Sequence, residues 1–158
     1  LTSTLAQRLA MSVVNKAMYA MGGMEFTMET RVRADFEAVV EAVVEALEAN
    51  GMEIQADIDP GSKIRANVDA DFGEYRILGA CALEFAAEAL ATDPRMGALM
   101  PCNVVVYEDG DDVVVRGLDT ERVLPVTGNS ELEHIAEEIH DRFSAVLAAV
   151  EGEFPTVR

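Results

Sequence analysis

The stretch EYRILGACALEFAAEALATDPRMGALMPCNVVVYEDGDD, Glu74 to Asp112, decides the fold and contains both cysteines of the chain, Cys81 and Cys102. Tyr75 to Cys81 is a short apolar run that suits a buried strand, and Gly79 near its end suits close approach by another backbone. Ala82 to Ala91 is rich in Ala, Leu and Glu and predicts a helix. Asp93-Pro94 stops it, because the residue before a proline is pushed out of the helical region. After a connector, Pro101 opens a strand where its missing N–H does least harm, and Cys102 to Tyr107 continues as a β-branched run. Asp109-Gly110 is a hairpin signal. Pairing outward from Glu108 and Asp111 sets Val106 against Val113, Val104 against Val115 and Cys102 against Gly117. Cys102, Val104, Val106, Val113 and Val115 then share one face. On that register Cys102 has room beside its sulfur.

Taken together, Gly79, Cys81, Asp93, Pro94, Gly97, Leu99, Pro101, Cys102, Val104, Val106, Tyr107 and Glu108 form a pattern that resembles the domain of unknown function 302 family. The similarity covers roughly Glu25 to Gly117. The resemblance implies a small α+β domain, commonly oligomeric, without a settled activity. Relatives usually place Asn-Pro directly after the position of Cys81; this chain has Ala82-Leu83.

On either side the pattern continues to alternate. Leu5 to Met21 reads as a helix that is apolar on two sides: Leu5, Leu9, Val13 and Ala17 line one, Met11, Val14, Met18 and Met21 the other. Such a helix must be covered on both sides, which in a short chain points to a subunit contact. Residues 1–22 are therefore expected to be an N-terminal helix that makes an oligomer contact, and residues 23–158 a single domain. Met24 to Val32 alternates as a strand. Asp35 can cap a helix whose Phe36, Val39, Val40, Val43, Val44 and Leu47 recur at helical spacing, with Glu37, Glu41, Glu45 and Glu48 outside. Asn50-Gly51 ends it, and Met52 to Ile58 alternates again. Asp59-Pro60-Gly61-Ser62 reads as a turn. Asp57, Asp59, Asp69 and Asp71 lack the glycine and final glutamate of a calcium loop and read as a solvated acidic loop. Ser130 followed by Glu133 reads as a capping box for a last helix, with Leu132, Ile135, Ala136, Ile139, Phe143, Val146, Leu147 and Val150 as its buried stripe.

The expected architecture is α+β, an antiparallel sheet of about five strands with helices packed mainly on one face, because the stripes of the Asp35 and Ser130 helices need a sheet to cover them. The sequence fits one domain: the chain has 158 residues, half of them apolar. Its 29 acidic against 12 basic residues give a net charge of −17, and its only lysines are Lys16 and Lys63. This points to a protein kept soluble in concentrated salt, the rival reading being a basic partner. Nucleic acid is disfavoured as a ligand because no Lys/Arg cluster is present. With no apolar run long enough to span a membrane and no secretory-signal layout in Leu1 to Met24, a cytoplasmic location is expected.

No Ser-His-Asp set, phosphate-cradling glycine loop or zinc spacing occurs. His134 and His140 lie about 120° apart around a helix and cannot share a metal; His134 is expected to pair with Glu138. The leading expectation is a non-catalytic homo-oligomeric binding module, with no cofactor evident. The alternative uses Cys81 and Cys102 as a reversible dithiol or a Cu(I) site. The helix start after Cys81 could lower its pKa, and two thiolates suit Cu(I) better than tetrahedral Zn(II). Against this stands the plainer reading of both cysteines as small buried hydrophobes.

Overall fold

The protein is described from a computed structural model, which covers residues 25–68 and 73–157. The expected helix Leu5 to Met21, Met24, and Asp69 and Asp71 lie outside the described residues. Strands β1 (Thr27–Val32), β2 (Glu53–Ile58), β3 (Tyr75–Cys81), β4 (Cys102–Asp109) and β5 (Asp112–Leu118) form a fully antiparallel sheet of order β1-β5-β4-β3-β2. Between them run α1 (Phe36–Ala49), α2 (Pro60–Asn67) and α3 (Leu83–Thr92); after β5 come the short α4 (Thr120–Val123) and the long α5 (Glu133–Glu153). The α+β class and the five-stranded sheet are as the sequence led one to expect.

Helix α1 starts where Asp35 accepts a hydrogen bond from the Ala38 N–H at 3.1 Å, and ends at Gly51, whose φ of +70° favours a residue without Cβ. It carries the chain from one edge strand, β1, to the other, β2. Its apolar stripe, with Val39, Val43 and Leu47 fully buried, meets that of α5, where Phe143 and Val150 are equally covered. Both lie over the sheet face formed by Val32, Leu78, Ala80, Val104, Val106, Val113 and Val115. Burial of this apolar surface is the main force holding helices to sheet. On the opposite face Tyr75 and Tyr107, cross-strand partners, stack with ring centroids 5.5 Å apart, and Arg116 donates to the Tyr107 hydroxyl, Thr27 and Glu29. After α5, Pro155 to Val157 return to the β1 edge. Arg33 N–H donates to Pro155 O, and Val157 N–H to Arg31 O, each at 2.9 Å.

Four local expectations are corrected. The β4–β5 hairpin closes one residue later, with Asp109 opposite Asp112, so that Val104 faces Gly117 and Val106 faces Val115. Gly110 takes φ +68°, and among the described residues none but glycine has positive φ; a turn centred on Gly110-Asp111 asks this of glycine alone, whereas Asp109-Gly110 would ask it of Asp109 too. The space over Gly117 belongs to Phe143, whose ring would stand 3.4 Å from an added Cβ. Cys102 therefore has no glycine opposite it. Because the slip is by two, the face assignments stand. Asp59 to Ser62 is the start of α2 instead of a turn: Asp59 accepts from Ser62 N–H at 3.0 Å and Pro60 occupies the first turn, where its missing donor is harmless. The capping box at Ser130 does not form; Asn129 accepts from Glu131 N–H and a short 3₁₀ turn leads into α5. In β2 a register break between Ile54 and Ala56 disturbs the alternation and leaves Ile58 exposed.

Gly79 leaves less room for a side chain than any other described glycine. A Cβ there would lie 2.6 Å from Pro101 Cγ and 3.3 Å from the Ala56 methyl, so what approaches it closely is a proline ring and not a backbone. Gly79→Ala should lower the unfolding free energy by about 1–3 kcal/mol through overpacking. Gly97→Ala, whose nearest neighbour would be a Leu90 methyl at 3.6 Å, should be close to neutral. Urea midpoints of the two variants check both; equal midpoints would show that Pro101 yields without cost.

Candidate functional site

The two cysteines arrive at one place from two directions. Cys81 ends β3 and Cys102 begins β4, next to Ala80 in the ladder, and both are free thiols. Beyond them α3 turns back over the sheet end, presenting Phe85 and the small Ala86 and Ala89; the 3₁₀ turn Pro94–Leu99 folds Met96 inward. Ile135 and Ile139 of α5 and Thr120 and Val123 of α4 complete a cavity of about 40 Å³. Its lining is apolar apart from sulfur and the Thr120 hydroxyl, which donates to Ala136 O at 2.7 Å. Met52, Met96 and Met100 line the cavity together with the thiols. Sequence reading missed these methionines as site residues. The one available signal was the four-residue spacing of Met96 and Met100 just before Cys102, and Met at such spacing is usually packing.

Helix α3 starts at Ala82 without a side-chain cap, and Leu83 occupies the first turn, so the place where relatives carry Asn-Pro is the N-cap and first position of this helix. An Asn there would cap and a Pro would fit. Arg142 of α5 holds this end instead: it donates to Glu84 at 2.8 Å, Glu138 at 3.1 Å and Gly51 O at 3.2 Å, and its guanidinium lies 5.1 Å from the Phe85 ring centre. Outside the cavity, Cys81 and Met52 also border an open groove of about 400 Å³ rimmed by Glu48, Glu53 and Glu84.

The expected lowering of the Cys81 pKa by the helix start is overturned. Burial and then the Glu53 and Glu84 carboxylates push it up. Burial, and secondarily Cys81, push Cys102 from 9.0 up to about 11. Both are protonated thiols at neutral pH. His134 also departs from expectation: its Nε2 lies 2.8 Å from Glu88 on α3, because Glu138 is taken by Arg142. His140 lies elsewhere, beside Asp119.

Residues 28–150 match the family model described as domain of unknown function DUF302. The chain belongs to the DUF302 family. A crystal structure titled as that of an uncharacterized conserved DUF302 protein from Bacillus stearothermophilus superimposes with a TM-score of 0.75 at 20% identity, covering 80% of this chain and 99% of that one. At that identity the likeness concerns the fold. The comparison with curated proteins gives no match. Among the described residues no helix is long and apolar enough to cross a membrane. The resemblance read from the Gly79 to Glu108 pattern thus holds at the level of the family.

The thiolate is the nucleophile, so a pKa of about 11 should make native Cys102 alkylate at pH 8 roughly 100-fold more slowly than an ordinary cysteine. The folded state keeps a proton that the unfolded chain releases, so this contribution to stability is complete below pH 9.0 and falls away as pH rises towards about 11. Iodoacetamide labelling read by mass spectrometry, and denaturation midpoints of the protein and Cys102→Ala across that range, check both statements. Labelling of native Cys102 as fast as in the unfolded chain would contradict them.

Proposed function

We propose that this DUF302 protein is a non-catalytic, homo-oligomeric binding module whose cargo sits in the cavity between Cys81 and Cys102. The observation that carries the reading is the size and chemistry of that cavity. Organic ligands fill pockets of about 300–1,000 Å³. A space of about 40 Å³ admits a single ion or a molecule of water size. Two thiols and three thioethers around it are soft donors, and the soft cation they suit is Cu(I). Cys81 and Cys102 would supply thiolates, with Met96 and Met100 the nearest thioethers in sequence. The acidic groove outside Cys81 offers a cation a favourable approach. Binding would release the thiol protons, which burial otherwise retains, so affinity should rise with pH.

Residues 23–158 act in this reading as one domain and residues 1–22 as the oligomer contact, supported by the two apolar sides of Leu5 to Met21. The net charge of −17 supports solubility in concentrated salt. A reversible dithiol is the second reading, favoured by the placement of both free thiols at one cavity.

Titration of the reduced protein with Cu(I) against a coloured Cu(I) chelator should give one tightly held equivalent, with both cysteines then protected from alkylation. Cys81→Ser/Cys102→Ser should weaken it by at least about 100-fold, the scale expected when thiolate ligands are lost. Wild-type binding no tighter than that of the double variant would end the copper reading. Deleting residues 1–22 should convert the oligomer to monomer or aggregate by light scattering in concentrated salt. An intact chain that is already monomeric at micromolar concentration would remove the oligomer.

A further inference from the structure

On the other side of α4 from the sulfur cavity, three metal-ligating side chains converge. Asp119, Glu121 and His140 each offer one donor atom, and these atoms lie within 4.8 Å of one another. Asp119 and Glu121 come from the start of α4 and His140 from α5, which explains why the sequence, with Asp119 and His140 21 positions apart, gave no sign of the cluster. His140 Nδ1 stands 3.1 Å from Asp119 Oδ1 and 3.9 Å from Glu121 Oε2. Neighbouring ligands around a first-row divalent ion, bound at about 2.0–2.1 Å, are separated by about 3.0–3.4 Å. The Asp119–His140 pair already has that separation. Glu121 is exposed and can close the remainder by a side-chain movement.

The frame under the cluster is fixed by its backbone. Asp119 N–H donates to Phe26 O at 2.8 Å, its own carbonyl receives Arg122 and Val123 N–H, and the wholly buried Thr120 is bonded to Ala136, one turn before His140. Arg122 Nε engages the other Asp119 oxygen at 3.0 Å and leaves Oδ1 facing the imidazole. With Arg122 the two carboxylates leave one negative charge, which a divalent cation would reverse, and the Asp119 side chain is only 8% exposed, so screening there is weak.

We propose that Asp119, Glu121 and His140 bind one divalent transition-metal ion, Zn(II) being the probe of choice, independently of the thiols. One imidazole nitrogen and two carboxylate oxygens suit a borderline divalent ion and not Cu(I). Because Thr120 and Val123 of α4 line the sulfur cavity, the ion would also fasten that cavity's wall to α5.

The test is calorimetry of the metal-stripped full chain with Zn(II) in roughly 0.5 M KCl, where the screening length of about 4 Å suppresses diffuse binding to the acidic surface. One equivalent should bind at micromolar concentration in the wild type and in Cys81→Ser/Cys102→Ser alike, with a rise in melting temperature. His140→Ala and Glu121→Ala should each weaken it at least tenfold, whereas Glu88→Ala should not; Glu121 is exposed, so its variant tests the site even where His140→Ala unfolds the chain. No heat up to millimolar Zn(II), binding lost with the cysteines, or binding unaffected by Glu121→Ala would overturn the proposal.

Discussion

The contact of the Pro101 ring with the bare α-carbon of Gly79 is the constraint on which the site depends. It joins the end of β3 to the entry of β4 at the only kind of residue that leaves space for a ring there. From it follow the ladder partnership of Ala80 with Cys102, the placement of Cys81 one residue beyond, and the direction in which α3 departs. Both cysteines border the cavity at this corner. Arg142 then closes the same corner from above, joining α5 to the uncapped start of α3.

Burial gives these thiols a character opposite to that of a redox-active cysteine. An attacking thiol is exposed and sits beside positive charge; Cys81 has Glu53 and Glu84 nearby, and Cys102 is enclosed by apolar groups. On the proposed reading such a pair would react slowly with alkylating agents and would still offer soft donors to a cation able to displace the protons.

Much of the fold was legible because burial repeats with the period of each element. The α1 and α5 stripes, the Asp35 cap and the shared face of Val104, Val106, Val113 and Val115 all follow from that. The hairpin register escaped because a slip of two residues preserves every face; only the left-handed demand at Gly110 distinguishes the alternatives. Helix α2 was hidden by Pro60 and Gly61, which read as a turn unless Asp59 is seen as its cap. For the candidate site, Cys81 and Cys102 could be named, since strand ends and starts locate them. Met52, Met96 and Met100, and the Asp119–His140 meeting, depend on how α3 and α5 lean on the sheet end, which no local pattern encodes.

The return of Pro155 to Val157 along β1 bears on how the molecule stays single-sheeted. An open edge of unpaired donors and acceptors invites strand addition from another chain. Here the chain's own tail occupies part of that row, through Arg33 and Val157 N–H, and brings a proline to a position from which no further ladder can be donated. Residues 155–157 thereby block strand addition along this part of β1, where those hydrogen bonds are already made.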